Sequence, residues 1–188
     1  MSKTQEAARI ITFKTRLFTI GATTIARLPE SASSKLPSRG QAMVEGTLNG
    51  VALRTPLEPD GRFSHWLIVD ADMQKAAHAT AGSIVELVIT PVRQWPEPEI
   101  PADLQRALTA NPDVHALWQR ITPMARWEWI RWARATGKSE TRKRRVDVAI
   151  SKLKAGERRP CCWNRNLCTV PEVSKNGVLL QPSTADQR

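Results

Sequence analysis

Residues 44–55 read Val-Glu-Gly-Thr-Leu-Asn-Gly-Val-Ala-Leu-Arg-Thr, and this stretch predicts a β-hairpin. Asn49 and Gly50 separate two short strand-like runs within it. A two-residue type I′ turn needs a positive φ at both central residues, and Asn-Gly is among the pairs that adopt it most readily. The hairpin therefore fixes the register of the two strands that it joins.

Strand-like runs continue on both sides of this hairpin. They are rich in β-branched, aromatic and apolar residues and lie at 10–20, 22–28, 63–69 and 83–90. Asp70 is placed to cap a short helix over 71–79. Several short strands with one small helix predict a compact barrel or sandwich for this half of the chain.

The second half of the chain has a helical pattern. Three prolines interrupt the stretch at its start, which predicts a linker because proline blocks regular pairing. Four helix starts follow, with Asn111 and Ser139 as predicted cap residues. The predicted fold class is α+β, an N-terminal small β-barrel followed by a C-terminal small helical bundle. We place the barrel at 10–92, the proline-rich linker at 93–100, the helical domain at 101–168 and a tail at 169–188.

Positive charge is concentrated in the second half. Residues 1–100 hold 11 Lys/Arg and 10 Asp/Glu, whereas residues 101–188 hold 17 and 8, so the second half supplies +9 of the net charge of +10. A one-sided basic field attracts polyanions such as nucleic acid, anionic lipid or an acidic protein. The same excess is also typical of a solvated surface that keeps a protein in solution.

Features of the sequence also bear on location. No apolar run approaches the ~20 residues that span a bilayer, and charges interrupt the N-terminal stretch where a signal peptide would be apolar. We therefore expect a cytoplasmic protein without a membrane span. Cys161, Cys162 and Cys168 form no disulfide framework, and free thiols fit a reducing compartment.

Tryptophan and arginine alternate in the segment 123–136, Pro-Met-Ala-Arg-Trp-Glu-Trp-Ile-Arg-Trp-Ala-Arg-Ala-Thr. Aromatic rings beside arginines suit single-stranded nucleic acid, in which bases stack on rings and phosphates pair with guanidinium groups. The alternative is that Trp129 and Trp132 anchor the core of a small bundle. Trp127 is the better candidate for an exposed ring, with Arg131 beside it on the helix.

Basic residues crowd the segment 138–159, which holds nine Lys/Arg and three acids. Arg142 and Arg145 belong to a run of four consecutive cations, so some members of the run must point away from the core. The functional interpretation is an anion or partner site. Its alternative is a solvated face with ion pairs, such as Glu140 with Arg144. The candidate binding residues are Trp127, Arg131, Lys138, Arg142 and Arg145.

Few residues suggest catalysis or a cofactor. The sequence contains no nucleophile elbow, P-loop or dinucleotide-binding motif, so no catalytic residue, cofactor or metal is predicted, and an enzyme is not favoured. The cysteines lack paired zinc-site spacing. Cys161 and Cys162 follow two arginines that would lower a thiol pKa, so redox thiols stay an open alternative to inert cysteines.

The two halves resemble two known families. The front half resembles a bacterial family of unknown function that forms a small double-split β-barrel, through Val44, Gly46, Asn49-Gly50, Arg54-Thr55, Gly82 and Val85. The back half resembles the YdeI/OmpD-associated (OmdA) family, named for bacteriocin protection. Its matching residues are Pro101, Asp103-Leu104, Ala107-Leu108, Trp132, Glu140-Thr141-Arg142, Arg145-Val146 and the run 156–162. Thr136-Gly137 stands where that family usually has Ala-Lys, so Lys138 is a possible substitute for the lysine.

The resemblance implies a role but no reaction. It links the chain to an outer-membrane porin and to protection against antimicrobial peptides. We therefore expect a non-enzymatic cytoplasmic binding protein in envelope or bacteriocin stress, with an acidic protein or polyanion as its partner. Nucleic-acid binding through the Trp/Arg helix and the Arg142–Arg145 cluster is the alternative, and a thiol-dependent redox protein is the third hypothesis.

Overall fold

The computed structural model describes residues 9–134, 136, 138–160, 172–174 and 176–182. These residues belong to two compact units. One unit runs to Gln94 and includes the late segment from Val178, and the other is Trp95–Gly177.

The first unit is a closed barrel of six antiparallel strands in the order β1-β2-β5-β4-β3-β6. Closure leaves the sheet without an open edge, which is one way that small β proteins avoid edge-to-edge pairing. The strands are β1 Ile11–Ile20, β2 Thr23–Arg27, β3 Ala42–Leu48, β4 Val51–Pro59, β5 His65–Ile68 and β6 Ile84–Pro91. Two short helices, α1 Glu30–Ser33 and α2 Ala71–Ala76, connect them.

The predicted hairpin is confirmed. Leu48 pairs with Val51 across the turn, and Asn49 and Gly50 have φ values of 48° and 82°. The predicted cap of α2 is also confirmed, because the Asp70 carboxylate accepts a hydrogen bond from the Met73 amide at 2.8 Å. The predicted strand over 63–69 is shorter than expected, since Phe63 lies in the preceding turn with a φ of 69°.

The core of the barrel is filled by inward-facing apolar side chains from every strand. One close approach inside it requires a glycine. Gly46 on β3 faces Ile89 on β6, and a Cβ at Gly46 would lie 1.9 Å from the Val88 carbonyl oxygen. No side chain fits there without moving the β6 backbone.

The second unit contains four described helices, α3 Ala102–Thr109, α4 Pro112–Arg120, α5 Pro123–Arg134 and α6 Ser139–Lys154. Their buried faces meet in one core that includes Trp118, Trp129 and Leu153. Val146 and Leu153 are buried and Ile150 packs against the same core, as the helical spacing predicts. The α+β fold class, a β-barrel followed by a helical region, is confirmed.

Two helix starts differ from the prediction. Asn111 precedes α4, but its side chain donates to the Ala107 carbonyl oxygen at 2.9 Å instead of capping α4. Ser139 is the first residue of α6, so the cap position belongs to Lys138, which makes no side-chain cap bond. In both places the sequence signal located the start of the helix, but the predicted side chain does not cap it.

Two segments outside the predicted domains group with one unit or the other. Trp95 and Pro96 lie in the predicted linker, yet they contact α5 and group with the helices. Leu179 lies in the predicted tail, yet it is buried and its amide donates to the Asp60 carbonyl oxygen in the barrel at 2.9 Å. Apolar burial at 95 and 179 extends each unit past the bounds that composition suggests.

Candidate functional site

The tryptophans of α5 serve mainly to pack the helical unit. Trp129 is fully buried, its indole Nε1 donates to the Arg158 carbonyl oxygen at 3.2 Å, and Trp132 meets it edge to face at 5.9 Å. Trp132 is half-buried against the same core. The interpretation that this pair anchors the bundle is confirmed for Trp129 and fits the packing of Trp132.

Trp127 is half-buried, not fully exposed as expected. Its indole Nε1 donates to the Pro96 carbonyl oxygen at 2.9 Å, and its ring packs edge to face on Trp95 at 6.4 Å. The ring therefore holds the segment that enters the helical unit. Sequence reasoning missed this contact because it treated the residues around Pro96 as a linker.

Arg142 is bound to Asp103. Its Nε and Nη2 atoms donate to the two carboxylate oxygens at 2.7 and 2.9 Å, and the arginine side chain is only 20% exposed. The hydrogen bonds from Arg142 hold the pKa of Asp103 below its usual value, against the opposing effect of partial burial. This two-pronged contact joins α6 to the first turn of α3.

Arg145 is bound to Trp132. Its Nη1 donates to the Trp132 carbonyl oxygen at 2.8 Å, and its Cζ atom lies 5.5 Å from the centroid of the indole ring. That geometry combines a hydrogen bond with a cation–π contact. Arg131, the third predicted arginine, is half-buried on α5.

The residues that carry the family resemblance therefore bind one another. We call Asp103, Trp132, Arg142 and Arg145 the clamp, because its two pairs tie α6 to α3 and to α5. From the sequence, Asp103 was a residue of the family resemblance, and the two arginines were expected to bind a ligand. One signal in the sequence could have suggested these contacts, because all four residues of the clamp are among those that carry the family resemblance.

Other cations of the same region are open to solvent. Among the described residues, none forms an ion pair with Arg134, Lys138, Lys143 or Arg144, and all four side chains are exposed. We call these four the basic surface. Of the predicted binding residues, Lys138 belongs to it.

The basic surface is not purely cationic. Glu140 and Asp147 are also exposed on α6, the helix that carries Lys143 and Arg144. The ion pair of Glu140 with Arg144, which the solvated-face alternative predicts, does not appear among the ion pairs of the described residues. The region therefore keeps unneutralised guanidinium and ammonium groups available to an anion.

One buried pair in the barrel resembles part of a catalytic site. Ser33 Oγ lies 2.7 Å from His65 Nδ1, while Nε2 of the ring lies 2.8 Å from the Gly40 carbonyl oxygen. Burial lowers the pKa of His65, so the ring is neutral near pH 7. Ser33 and His65 are each only 1% exposed, so a substrate cannot reach the hydroxyl. The pair is part of the core.

Two further predictions concern metals and thiols. Across the described part of the chain, no three His, Cys, Asp or Glu side chains form a group that could hold a metal ion. The predicted redox thiols, Cys161 and Cys162, lie outside the described residues, as does Cys168.

The fold and the clamp together define a two-domain protein, a closed β-barrel followed by a helical domain with a basic surface. Residues 8–89 match the family of a domain of unknown function, DUF1905, and residues 97–156 match the family described as Bacteriocin-protection, YdeI or OmpD-Associated, OmdA. The two matches confirm the resemblance of each half of the chain to its family.

Two other findings bear on its class. No curated protein matches the chain. Within the residues that the structure describes, no helix is both long enough and apolar enough to cross a membrane.

Proposed function

We propose that this protein is a non-enzymatic, cytoplasmic binding protein that protects against bacteriocins or related envelope stress. The description of the OmdA family supports the link to bacteriocin protection. The partner that fits the charge of the helical domain is an acidic protein or another polyanion.

One observation carries the binding part of the proposal. Arg142 and Arg145 are engaged by the clamp, whereas Lys143 and Arg144, between them in sequence, are exposed and unpaired among the described residues. One short stretch of α6 thus supplies both the contacts that hold the bundle and the cations that face solvent. Lys143, Arg144, Arg134 and Lys138 are the residues that we assign to the partner.

The test is survival of the source bacterium under bacteriocin or cationic-peptide challenge. A strain lacking the gene is complemented with the wild-type chain, with Lys143→Ala/Arg144→Ala, or with Arg106→Ala/Arg120→Ala. The last variant removes the same charge from exposed positions on α3 and α4. We expect the wild type and the control to restore tolerance and the α6 variant to fail.

Two outcomes would count against the proposal. A deletion strain with unchanged tolerance would remove the link to bacteriocin stress. Equal complementation by the α6 variant and the control would remove the basic surface as the binding element, even where the stress link held.

Nucleic-acid binding by the α5 tryptophans loses its support, because the indole groups of Trp127 and Trp129 are engaged inside the domain. The thiol-dependent alternative stays a prediction for Cys161 and Cys162. Thiol titration at neutral pH tests it, since unreactive cysteines would leave that alternative without a nucleophile.

A further inference from the structure

The turn between β4 and β5 holds an aromatic side chain in an unusual position. Phe63 has a φ of 69° and its side chain is 78% exposed. Bulky residues avoid the left-handed region, which glycine and asparagine occupy at lower cost. The ring gains no burial in the barrel that would offset this conformation.

The turn around Phe63 is firmly held. The Asp60 carboxylate accepts hydrogen bonds from the Arg62 and Ser64 amides at 2.7 and 2.8 Å, and it also binds the Arg27 guanidinium. The Ser64 hydroxyl donates to the Leu28 carbonyl oxygen at 2.7 Å. These hydrogen bonds fix the backbone of the turn, and the Phe63 ring is exposed to solvent from it.

Two arginines lie close to Phe63 in the structure or in the sequence. Arg62 is its neighbour in sequence and is exposed, while Arg39 Nη1 donates to the Phe63 carbonyl oxygen at 3.0 Å. Neither guanidinium forms an ion pair among the described residues. Lys35, exposed just after α1, adds a third cation to a segment in which Glu30 is the exposed acid.

A recess adjoins the same turn. Arg62 lines a cavity of about 140 Å³ together with Phe18, Arg27 and Leu180. Its walls thus carry a second aromatic ring and two guanidinium groups, one of which is bound to Asp60. Arg62, the residue before Phe63, is thus part of the wall of the recess.

We propose that the β4–β5 turn is a binding site for single-stranded nucleic acid, with Phe63 as a stacking platform for one base and Arg39 and Arg62 as phosphate contacts. Every base offers a flat face when it is unpaired, so one rigid ring beside guanidinium groups binds single strands with little sequence preference. The β4–β5 turn supplies both components of such a site, an exposed ring at Phe63 and the guanidinium groups of Arg39 and Arg62. This site is independent of the basic surface on α6.

The experiment measures binding of a fluorescein-labelled single-stranded oligothymidylate of about 12 nucleotides, a length within the usual range of site sizes. Fluorescence anisotropy is recorded on the full chain at low salt. We expect Phe63→Leu, which keeps an apolar side chain without a π face, to weaken binding about tenfold, within the range seen for loss of one stacked base. Phe63→Trp should bind at least as well as the wild type.

Two further measurements test the arginines and the backbone conformation of Phe63 separately: the salt dependence of binding and the Tm. Arg62→Ala and Arg39→Ala should each reduce the slope of log K against log salt by about 0.7, the value for one phosphate contact on a single strand. Phe63→Asn should lose binding, yet its Tm should rise by about 2–4 °C because asparagine tolerates a positive φ. Ile84→Ala, which removes another exposed apolar side chain, from β6, is the matched control and should leave binding unchanged.

Three results would overturn this proposal. The first is no measurable binding of the oligonucleotide at low salt. The second is equal binding by the wild type and Phe63→Leu. The third is loss of binding to a polyglutamate peptide in Phe63→Leu without loss of oligonucleotide binding, which would identify an acidic polypeptide as the ligand instead.

Discussion

Arg142 on α6 and Asp103 in the first turn of α3 are joined by two parallel hydrogen bonds of 2.7 and 2.9 Å. They are 39 residues apart, and both lie in the stretch 97–156 that matches the OmdA family. The neighbouring pair of Arg145 and Trp132 repeats the arrangement between α6 and α5. These two pairs therefore connect α6 to α3 and to α5, and the exposed cations next to them in sequence are the candidates for function.

The clamp should contribute measurably to stability. Arg142→Ala and Asp103→Ala should each lower the free energy of unfolding by about 1–2 kcal/mol, and a double-mutant cycle should give a coupling energy of about 1 kcal/mol. Urea denaturation followed by circular dichroism gives the change in unfolding free energy for the two single variants and for the double variant. Additive losses would mean that the two side chains do not stabilise the domain through their contact.

The same pair predicts a pH dependence. Because Arg142 lowers the pKa of Asp103 in the folded state, the unfolded state binds a proton first as the pH falls. The stability from this carboxylate is present above its unfolded pKa of about 3.9 and is lost as the pH falls through the lower folded value. The difference between the wild type and Asp103→Asn should be largest near pH 7 and shrink below about pH 4.

Asp113→Asn is the matched control for that experiment. Asp113 lies in the first turn of α4 and has an ion-pair contact to Lys154 at 3.7 Å. Its replacement should cost less stability at neutral pH than Asp103→Asn, because a long contact between exposed groups contributes little. Equal losses would assign the effect to the helix start and not to the clamp.

The buried histidine of the barrel predicts a second pH effect. His65 has a lowered pKa because of its burial, so between pH 7 and 5 the unfolded chain binds a proton that the folded chain resists. The contribution of neutral His65 to the free energy of unfolding should be fully present above about pH 6.5. It should decrease as the pH falls towards the folded pKa of His65. His65→Asn should remove this part of the slope while lowering stability at pH 7, since it leaves Ser33 or Gly40 without a partner. A slope that persists in the variant would contradict the assignment.

A glycine in the barrel allows a direct structural test. Gly46→Ala should prevent or strongly weaken folding, with a loss above about 4 kcal/mol, because the new methyl group would overlap the Val88 carbonyl oxygen. Gly50→Ala is the control, since no atom lies within 4 Å of the added carbon and only the positive φ opposes it. That variant should lose about 1 kcal/mol. Thermal melts of both variants give the comparison, and a mild effect at Gly46 would contradict the close approach of β3 and β6.

The sequence was sufficient for several features that depend on local chemistry, although not for the caps of α4 and α6. Asn49-Gly50 identified the hairpin, Asp70 the cap of α2 and the switch to helical spacing the second domain, because each signal acts over a few residues. The clamp could not be found this way, since nothing local connects Arg142 to a carboxylate 39 residues earlier. Consecutive cations look alike in sequence, and only the phase of α6, set by buried Val146 and Leu153, separates Arg142 from Lys143.

Phe63 illustrates a second limit. An aromatic residue beside His65 and Trp66 favours a strand, and a strand was expected from that position. The hydrogen bonds of Asp60 instead close a turn that turns the ring outwards. Two hydrogen bonds between residues that are distant in sequence also hold this turn, from Arg39 to the Phe63 carbonyl oxygen and from Ser64 to the Leu28 carbonyl oxygen.

Neighbouring cations of α6 have different roles, and salt elution from immobilised heparin together with thermal melting can separate these roles. We predict that Lys143→Ala/Arg144→Ala elutes at clearly lower salt than the wild type and has an unchanged Tm. Arg106→Ala/Arg120→Ala should elute close to the wild type. Arg142→Ala should lower the Tm by about 2–4 °C for each 1 kcal/mol of unfolding free energy that is lost. Elution of the two double variants at the same salt, or an unchanged Tm for Arg142→Ala, would contradict the account.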